Sequence, residues 1–151
     1  DPGARHGFVL PASYPAKRMG VKTGMPIWEA KQHCRDLIIV PASFGKYQKY
    51  SGYVREVFND YTDQVESFGL DEAWLDITGS VGLFGSPVKI AKEISVRIKR
   101  ELGITVSIGV SFNKITAKLG SDYKKPDAIT VIEPDNYKQI VYPLPVGDHF
   151  Q

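Results

Sequence analysis

Cysteine is nearly absent: Cys34 is the single one among 151 residues, so no disulfide can form within the chain. A core stapled by bridges is excluded, and a reducing, cytoplasmic location is the expectation. His33 stands beside Cys34, but two adjacent ligand types without a second pair do not make a zinc site. No apolar run approaches the length of a membrane span, and no signal-peptide pattern opens the chain, so no membrane partner is expected. Internal repeats and low-complexity tracts are also missing. Charge of one sign is scarce too. With 19 basic and 17 acidic side chains the formal charge is +2, which permits a polyanionic partner without requiring one.

What remains is an ordinary globular composition, 42% hydrophobic and 24% charged, sufficient for one core and a small second lobe. Phe8-Val9-Leu10 reads as a short strand. Ser13 caps a brief helix with Pro15 near its start and Gly20 as its stop. A second helix is expected over 27–34, then a β-rich run Leu37-Ile38-Ile39-Val40 ended by Pro41. From 44 to 61, Tyr47, Tyr50, Val54, Val57, Phe58 and Tyr61 recur at steps of three and four, so an amphipathic helix with a buried aromatic stripe is predicted. Two strand-like runs, 64–68 and 73–77, outline a hairpin. Ser86-Pro87 opens a helix with Val88, Ala91, Ile94, Ile98 and Leu102 inward and a solvated charged face, closed by Gly103. A strand over 104–110, a helix from Lys114 to about Gly120, a strand over 129–132 and an extended tail over 142–146 complete the pattern. A ferredoxin-like βαββαβ unit would need one more strand in front.

The hairpin carries the most informative feature, the adjacent acids Asp71 and Glu72. Neighbours in a strand point to opposite faces, so the two can serve one ion only if Asp71 sits in the turn, which Gly69 makes easy to form. Such carboxylates repel unless a cation compensates, and hard oxygen donors suit magnesium or manganese. Turns favour acids in any case, so solvated turn acids remain an alternative on this evidence. Further on, Lys114 and Lys118 share a helical face, and Pro126 holds Lys125 extended; lysines so placed could neutralise a triphosphate or simply face water.

Taken in order, three segments resemble one family. Ala12-Ser13-Tyr14-Pro15-Ala16-Lys17-Arg18-Met19-Gly20-Val21-Lys22-Thr23-Gly24-Met25 is similar to the fingers motif of Y-family (UmuC/DinB-type, ImpB/MucB/SamB) translesion DNA polymerases. Phe68-Gly69-Leu70-Asp71-Glu72-Ala73-Trp74-Leu75-Asp76 resembles their palm carboxylate motif. Ser107-Ile108-Gly109-Val110-Ser111-Phe112-Asn113-Lys114, with Ala117-Lys118 and Lys125-Pro126, resembles the third. The resemblance implies an α/β (α+β) fold: a ferredoxin-like polymerase palm over 44–132 lacking its first strand, partial fingers over 1–43, and a connector over 133–151 toward an absent thumb. It implies template-directed DNA synthesis past damaged bases in an SOS-type response, by two-metal nucleotidyl transfer. Asp71 and Glu72 are then catalytic metal carboxylates for two Mg2+ ions, with Mn2+ able to substitute. Tyr14, Lys17 and Lys125 are triphosphate-binding residues. Primer–template DNA and deoxynucleoside triphosphates are the implied partners, with a sliding clamp engaged through regions outside this chain. Lys17 stands where the family often has Arg, which keeps the charge and loses the bidentate fork. The first metal Asp and the ribonucleotide-excluding aromatic are expected upstream, so this stretch alone is expected to be inactive. A non-catalytic palm that recruits repair partners, or a nucleotidyl-cyclase-like palm, are the alternatives; the first should have lost its acids, and the second calls for Gly-Gly where Gly69-Leu70 stands.

Overall fold

The structure is a computed structural model and describes residues 7–9 and 11–143. The chain divides into two units, 1–45 and 46–151. In the first unit, α1 (Tyr14–Arg18) is capped by Ser13, whose hydroxyl accepts from the Ala16 amide, and Gly20 follows at φ +98°. α2 (Ile27–His33) starts after Pro26, and Phe8 forms a lone bridge to Pro26. Ala16, Val21 and Ala30 form a small core against Val9, Ala12, Met25, Cys34 and Leu37. The expected strand at 37–40 does not form. Ile38 and Val40 are 86% and 79% exposed, and β-propensity alone makes no strand without a neighbour to pair with. Leu10 and 144–146 lie outside the described residues.

The second unit holds the larger core. α3 (Phe44–Asn59) and α5 (Pro87–Leu102) contribute Val57, Ile90, Ile94 and Ile98, joined by Tyr61; Leu75, Ile77 and Ile108 pack against them. The aromatic stripe of α3 is therefore core only toward its C-terminal end. Tyr47, Tyr50 and Tyr53 are exposed, and Tyr50 meets Tyr53 edge to face at 6.2 Å. α5 begins where Ser86 accepts from the Lys89 amide and ends at Gly103, whose φ of +70° is the left-handed C-cap that glycine favours. Its charged face is more than solvated: Arg97 reaches Asp60 at 2.9 Å and Lys99 reaches Asp127 at 2.5 Å. Two short helices, α4 (Val81–Phe84) and α7 (Tyr137–Val141), add to the elements expected from the sequence.

Among the described residues the strands form two ladders. β1 (Val65–Phe68) and β2 (Glu72–Leu75) make the antiparallel hairpin, with Phe68 opposite Glu72. β3 (Ile108–Ser111) and β4 (Ile129–Ile132) run parallel, joined by α6 (Lys114–Tyr123). Residues 104–107, expected to extend β3, are not strand. Among the described residues the two ladders share no hydrogen bonds.

α6 lies unusually close to β3. A Cβ at Gly109 would fall 1.8 Å from the Ala117 carbonyl oxygen, and one at Gly120 would fall 3.1 Å from the Gly109 Cα. Asn113 starts the helix by accepting from the Thr116 amide at 2.9 Å, and Ser111 ties Thr116 to the Ile132 carbonyl. A side chain at Gly109 must push backbone, which cannot swing aside. Gly109→Ala is thus expected to destabilise by about 3 kcal/mol, the upper end for overpacking. Gly82→Ala, with nothing within 4 Å, should leave stability nearly unchanged. Urea unfolding midpoints check both, and equal midpoints for the two variants would refute the close seat.

Candidate active site

The β1–β2 hairpin turns through Gly69, Leu70 and Asp71, with Gly69 at φ +69°. This left-handed backbone lets three residues close the loop, so Asp71 falls in the exposed turn and Glu72 opens β2, half-buried. The required break in alternation is present. From Glu72 onward the strand period resumes, and Glu66, Phe68, Glu72 and Trp74 share one face.

That face meets α6. Phe68 and Trp74 stack with centroids 4.2 Å apart, and the Trp74 indole N–H donates to the Lys114 carbonyl at 3.2 Å. Lys114 Nζ pairs with Glu66 and lies 5.2 Å from the Trp74 ring. One turn on, Lys118 Nζ pairs with Glu72 at 2.5 Å and approaches Asp122 at 3.4 Å; Asp122 in turn holds Lys125 at 2.6 Å. Acid and base alternate along Glu72, Lys118, Asp122 and Lys125. At the far end of β2, Asp76 accepts from the Thr78 amide and hydroxyl, which draws its carboxyl below the ordinary range.

Asp71 and Glu72 are adjacent on the hairpin, and Lys125 is linked to Glu72 through Asp122 and Lys118. Lys125 does not stand away from the helix: its ammonium folds back onto Asp122, three residues earlier. Tyr14 and Lys17 are both on α1 in the first unit, exposed, with Lys17 Nζ 5.0 Å from the Tyr14 ring centre. Asp122 is a site residue that the motifs do not single out, and its spacing of four from Lys118 and three from Lys125 is the signal in the sequence that marks it. The partnership of Lys114 with Glu66 spans 48 positions, which no local spacing signals.

Residues 2–122 match the impB/mucB/samB family. The chain belongs to that family. A DNA polymerase IV from Acetivibrio thermocellus is 57% identical over 142 residues, covering 94% of this chain and 36% of that protein. DNA polymerase IV 1 of Bacillus subtilis is 41% identical, covering 95% and 34%. Among solved structures, a Y-family DNA polymerase chimera superposes with a TM-score of 0.89 at 34% identity, covering 99% of this chain and 44% of its own. DinB from Sulfolobus solfataricus superposes with 0.84 at 35% identity, covering 92% and 41%. This impB/mucB/samB chain spans little more than a third of the curated relatives it matches. Its mixed helix and strand architecture is that of the Y-family palm and fingers.

For a divalent cation, the donor set offers two hard carboxylates, and the ammonium already drawn to Glu72 shows that the position attracts positive charge. The fit is chemically sound though partial. Among the described residues no group of three or more His, Cys, Asp or Glu side chains could hold a metal, and no helix is long and apolar enough to cross a membrane.

The ion-pair chain sets a pH dependence. Burial works against charge on Lys118, but its hydrogen bond to Glu72 and the nearby Asp122 outweigh it and raise its pKa. Burial likewise opposes charge on Asp122, yet Lys125 and Lys118 together draw its pKa down. Asp122 therefore contributes stability above its unfolded value of about 3.9, lost as pH falls through the lower folded value. Lys118 contributes below about 10.4, lost as pH rises through its raised folded value. Both are partly exposed, so each limb should amount to about 1 kcal/mol at most. Denaturant midpoints against pH should show a plateau between the limbs, and Asp122→Asn should shrink the acid limb. An acid limb unchanged in that variant would remove Asp122 from the network.

Proposed function

We propose that this chain is the nucleotide- and metal-handling part of a translesion DNA polymerase, which copies DNA past damaged bases by two-metal nucleotidyl transfer. The observation that carries the reading is the pair Asp71–Glu72 at the turn of a hairpin, in a fold that superposes on a Y-family polymerase with a TM-score of 0.89 at 34% identity. It is supported by relatives named DNA polymerase IV and by a structural neighbour described as an insertion ternary complex of a DNA polymerase.

In this reading Asp71 and Glu72 supply two of the carboxylates that hold Mg2+, with Mn2+ as a substitute. When bound, the ions activate the primer 3′-oxygen and neutralise charge developing at the phosphorus. The chain's own residues position the reactants. Lys125 gives up Asp122 for the triphosphate, and Tyr14 and Lys17 on α1 offer a hydroxyl and a charge of the kind a triphosphate takes. Lys17 binds as a point charge and not as a fork. Phe68 and Trp74, stacked behind Glu72, hold β2 against α6. Primer–template DNA and deoxynucleoside triphosphates are the substrates, and a sliding clamp is the partner of the whole protein. A cytoplasmic setting accords with the near-absence of cysteine.

Steady-state nucleotide insertion by the full-length protein tests this. Lys125→Ala should lower kcat/KM for the nucleotide by roughly 1.5–3 kcal/mol, the scale of one charge-assisted hydrogen bond. Asp71→Ala should abolish templated primer extension, and the 151-residue chain alone should give none. Unchanged insertion by Lys125→Ala would remove it as a ligand, and extension by Asp71→Ala would sink the reading.

A further inference from the structure

Asp122 is one carboxylate facing two ammoniums, Lys118 through Oδ2 at 3.4 Å and Lys125 through Oδ1 at 2.6 Å. The arrangement is balanced only because Lys118 directs most of its charge to Glu72, at 2.5 Å. We propose that Asp122 is a shared acid that exchanges Lys125 for Lys118 when a divalent cation takes Glu72, so that filling the carboxylate pair releases Lys125 for an anionic polyphosphate. The inference rests on the metal reading of Asp71 and Glu72 above and adds a coupling between the two ligands.

A doubly charged ion held by Asp71 and Glu72 neutralises both carboxylates and so cancels the attraction that Glu72 exerts on Lys118. The Lys118 backbone cannot retreat, because α6 is seated on β3 by the close approach of Gly109 to the Ala117 carbonyl. Only its side chain can turn. Among the described residues Asp122 is its one other acid partner within 4 Å, on the same helix face one turn along. Once Lys118 closes on Asp122, a single negative charge serves two cations. Lys125 is the more exposed of them, 47% against 32%, and it sits beyond the end of α6. Water and solution anions compete best for it, so it is the one released. The ion thus favours one of two pairings of the same four side chains, which is what differential affinity for two states requires. This coupling acts through the protein and needs no bond between ion and phosphate.

Lysine acetylation footprinting at constant pH tests it, using a water-soluble acetylating reagent on the 151-residue chain and peptide mass spectrometry. Occupancy is read separately, as Mn2+ broadening of the Asp71 and Glu72 amide signals in NMR spectra. Saturating Mg2+ should raise the acetylation rate of Lys125 roughly two- to five-fold, the range over which a partly exposed ion pair biases an equilibrium. Exposed Lys31 and Lys89 should not change. In Lys118→Met the ion-induced rise should vanish. In Asp122→Asn, Lys125 should react fast without the ion and gain nothing from it. A wild-type Lys125 rate unmoved by Mg2+, while Mn2+ broadens both amides, would overturn the exchange and leave the metal reading standing. A rise that survives in Lys118→Met would overturn it as well, because the ion would then act on Lys125 directly. Failure of Mn2+ to broaden those amides would overturn the metal reading and the exchange together.

Discussion

Helix α6 rests on bare backbone. Gly109 in β3 leaves room for the Ala117 carbonyl at a distance no side chain could share, and Gly120 returns the contact one turn on. Everything on the exposed side of the helix follows from that seat. Lys114 and Lys118 are carried to the face of the hairpin that bears Glu66, Phe68, Glu72 and Trp74, and Asp122 stands where it can meet Lys118 and Lys125 together. Asn113 and Thr116 fix where the helix begins, so the seat also has a register. Shifting α6 outward by the width of a methyl group would separate the lysines from the hairpin acids.

The alternating charges on this face add little to stability, because exposed pairs in water are worth a fraction of a kcal/mol to about 1 kcal/mol. Their consequence is positional. Glu72 is held by Lys118 in a place that attracts cations, and Lys125 is held by Asp122 close to the same line of charges. The hydrophobic cluster of α3 and α5 supplies the rigidity, with Ile90, Ile94 and Ile98 buried under Leu75 and Ile108, one from each ladder. The site thus combines a firm apolar base with weak, exchangeable polar contacts on top. That combination lets a site change partners without unfolding.

Local signals in the sequence identify those parts of the fold that local chemistry decides. α5 is legible from Ser86-Pro87 at one end and Gly103 at the other; β4 from its run of β-branched residues; the placement of Asp71 in the turn from Gly69. The misreadings occur where a distant partner decides. Leu37 to Val40 has strand composition but no strand beside it, and the aromatic stripe of α3 stays exposed at Tyr47 and Tyr50 because the core covers only its far end. Ile90 lies outside the predicted apolar face of α5, yet it is among the most buried side chains. In the site, the paired acids and the lysines are legible as residue types in a familiar order. The links between them are not: Glu72 to Lys118 spans 46 positions, and only the folded chain brings them together.

The most direct test of the account is a structure of the full-length protein with primer–template DNA, a deoxynucleoside triphosphate and Mg2+. Carboxylate oxygens of Asp71 and Glu72 should lie about 2.0–2.1 Å from an ion, the spacing magnesium demands. Lys125 should be on the triphosphate and Lys118 on Asp122. Magnesium ions bound elsewhere, with Lys118 still on Glu72 and Lys125 still on Asp122, would contradict it.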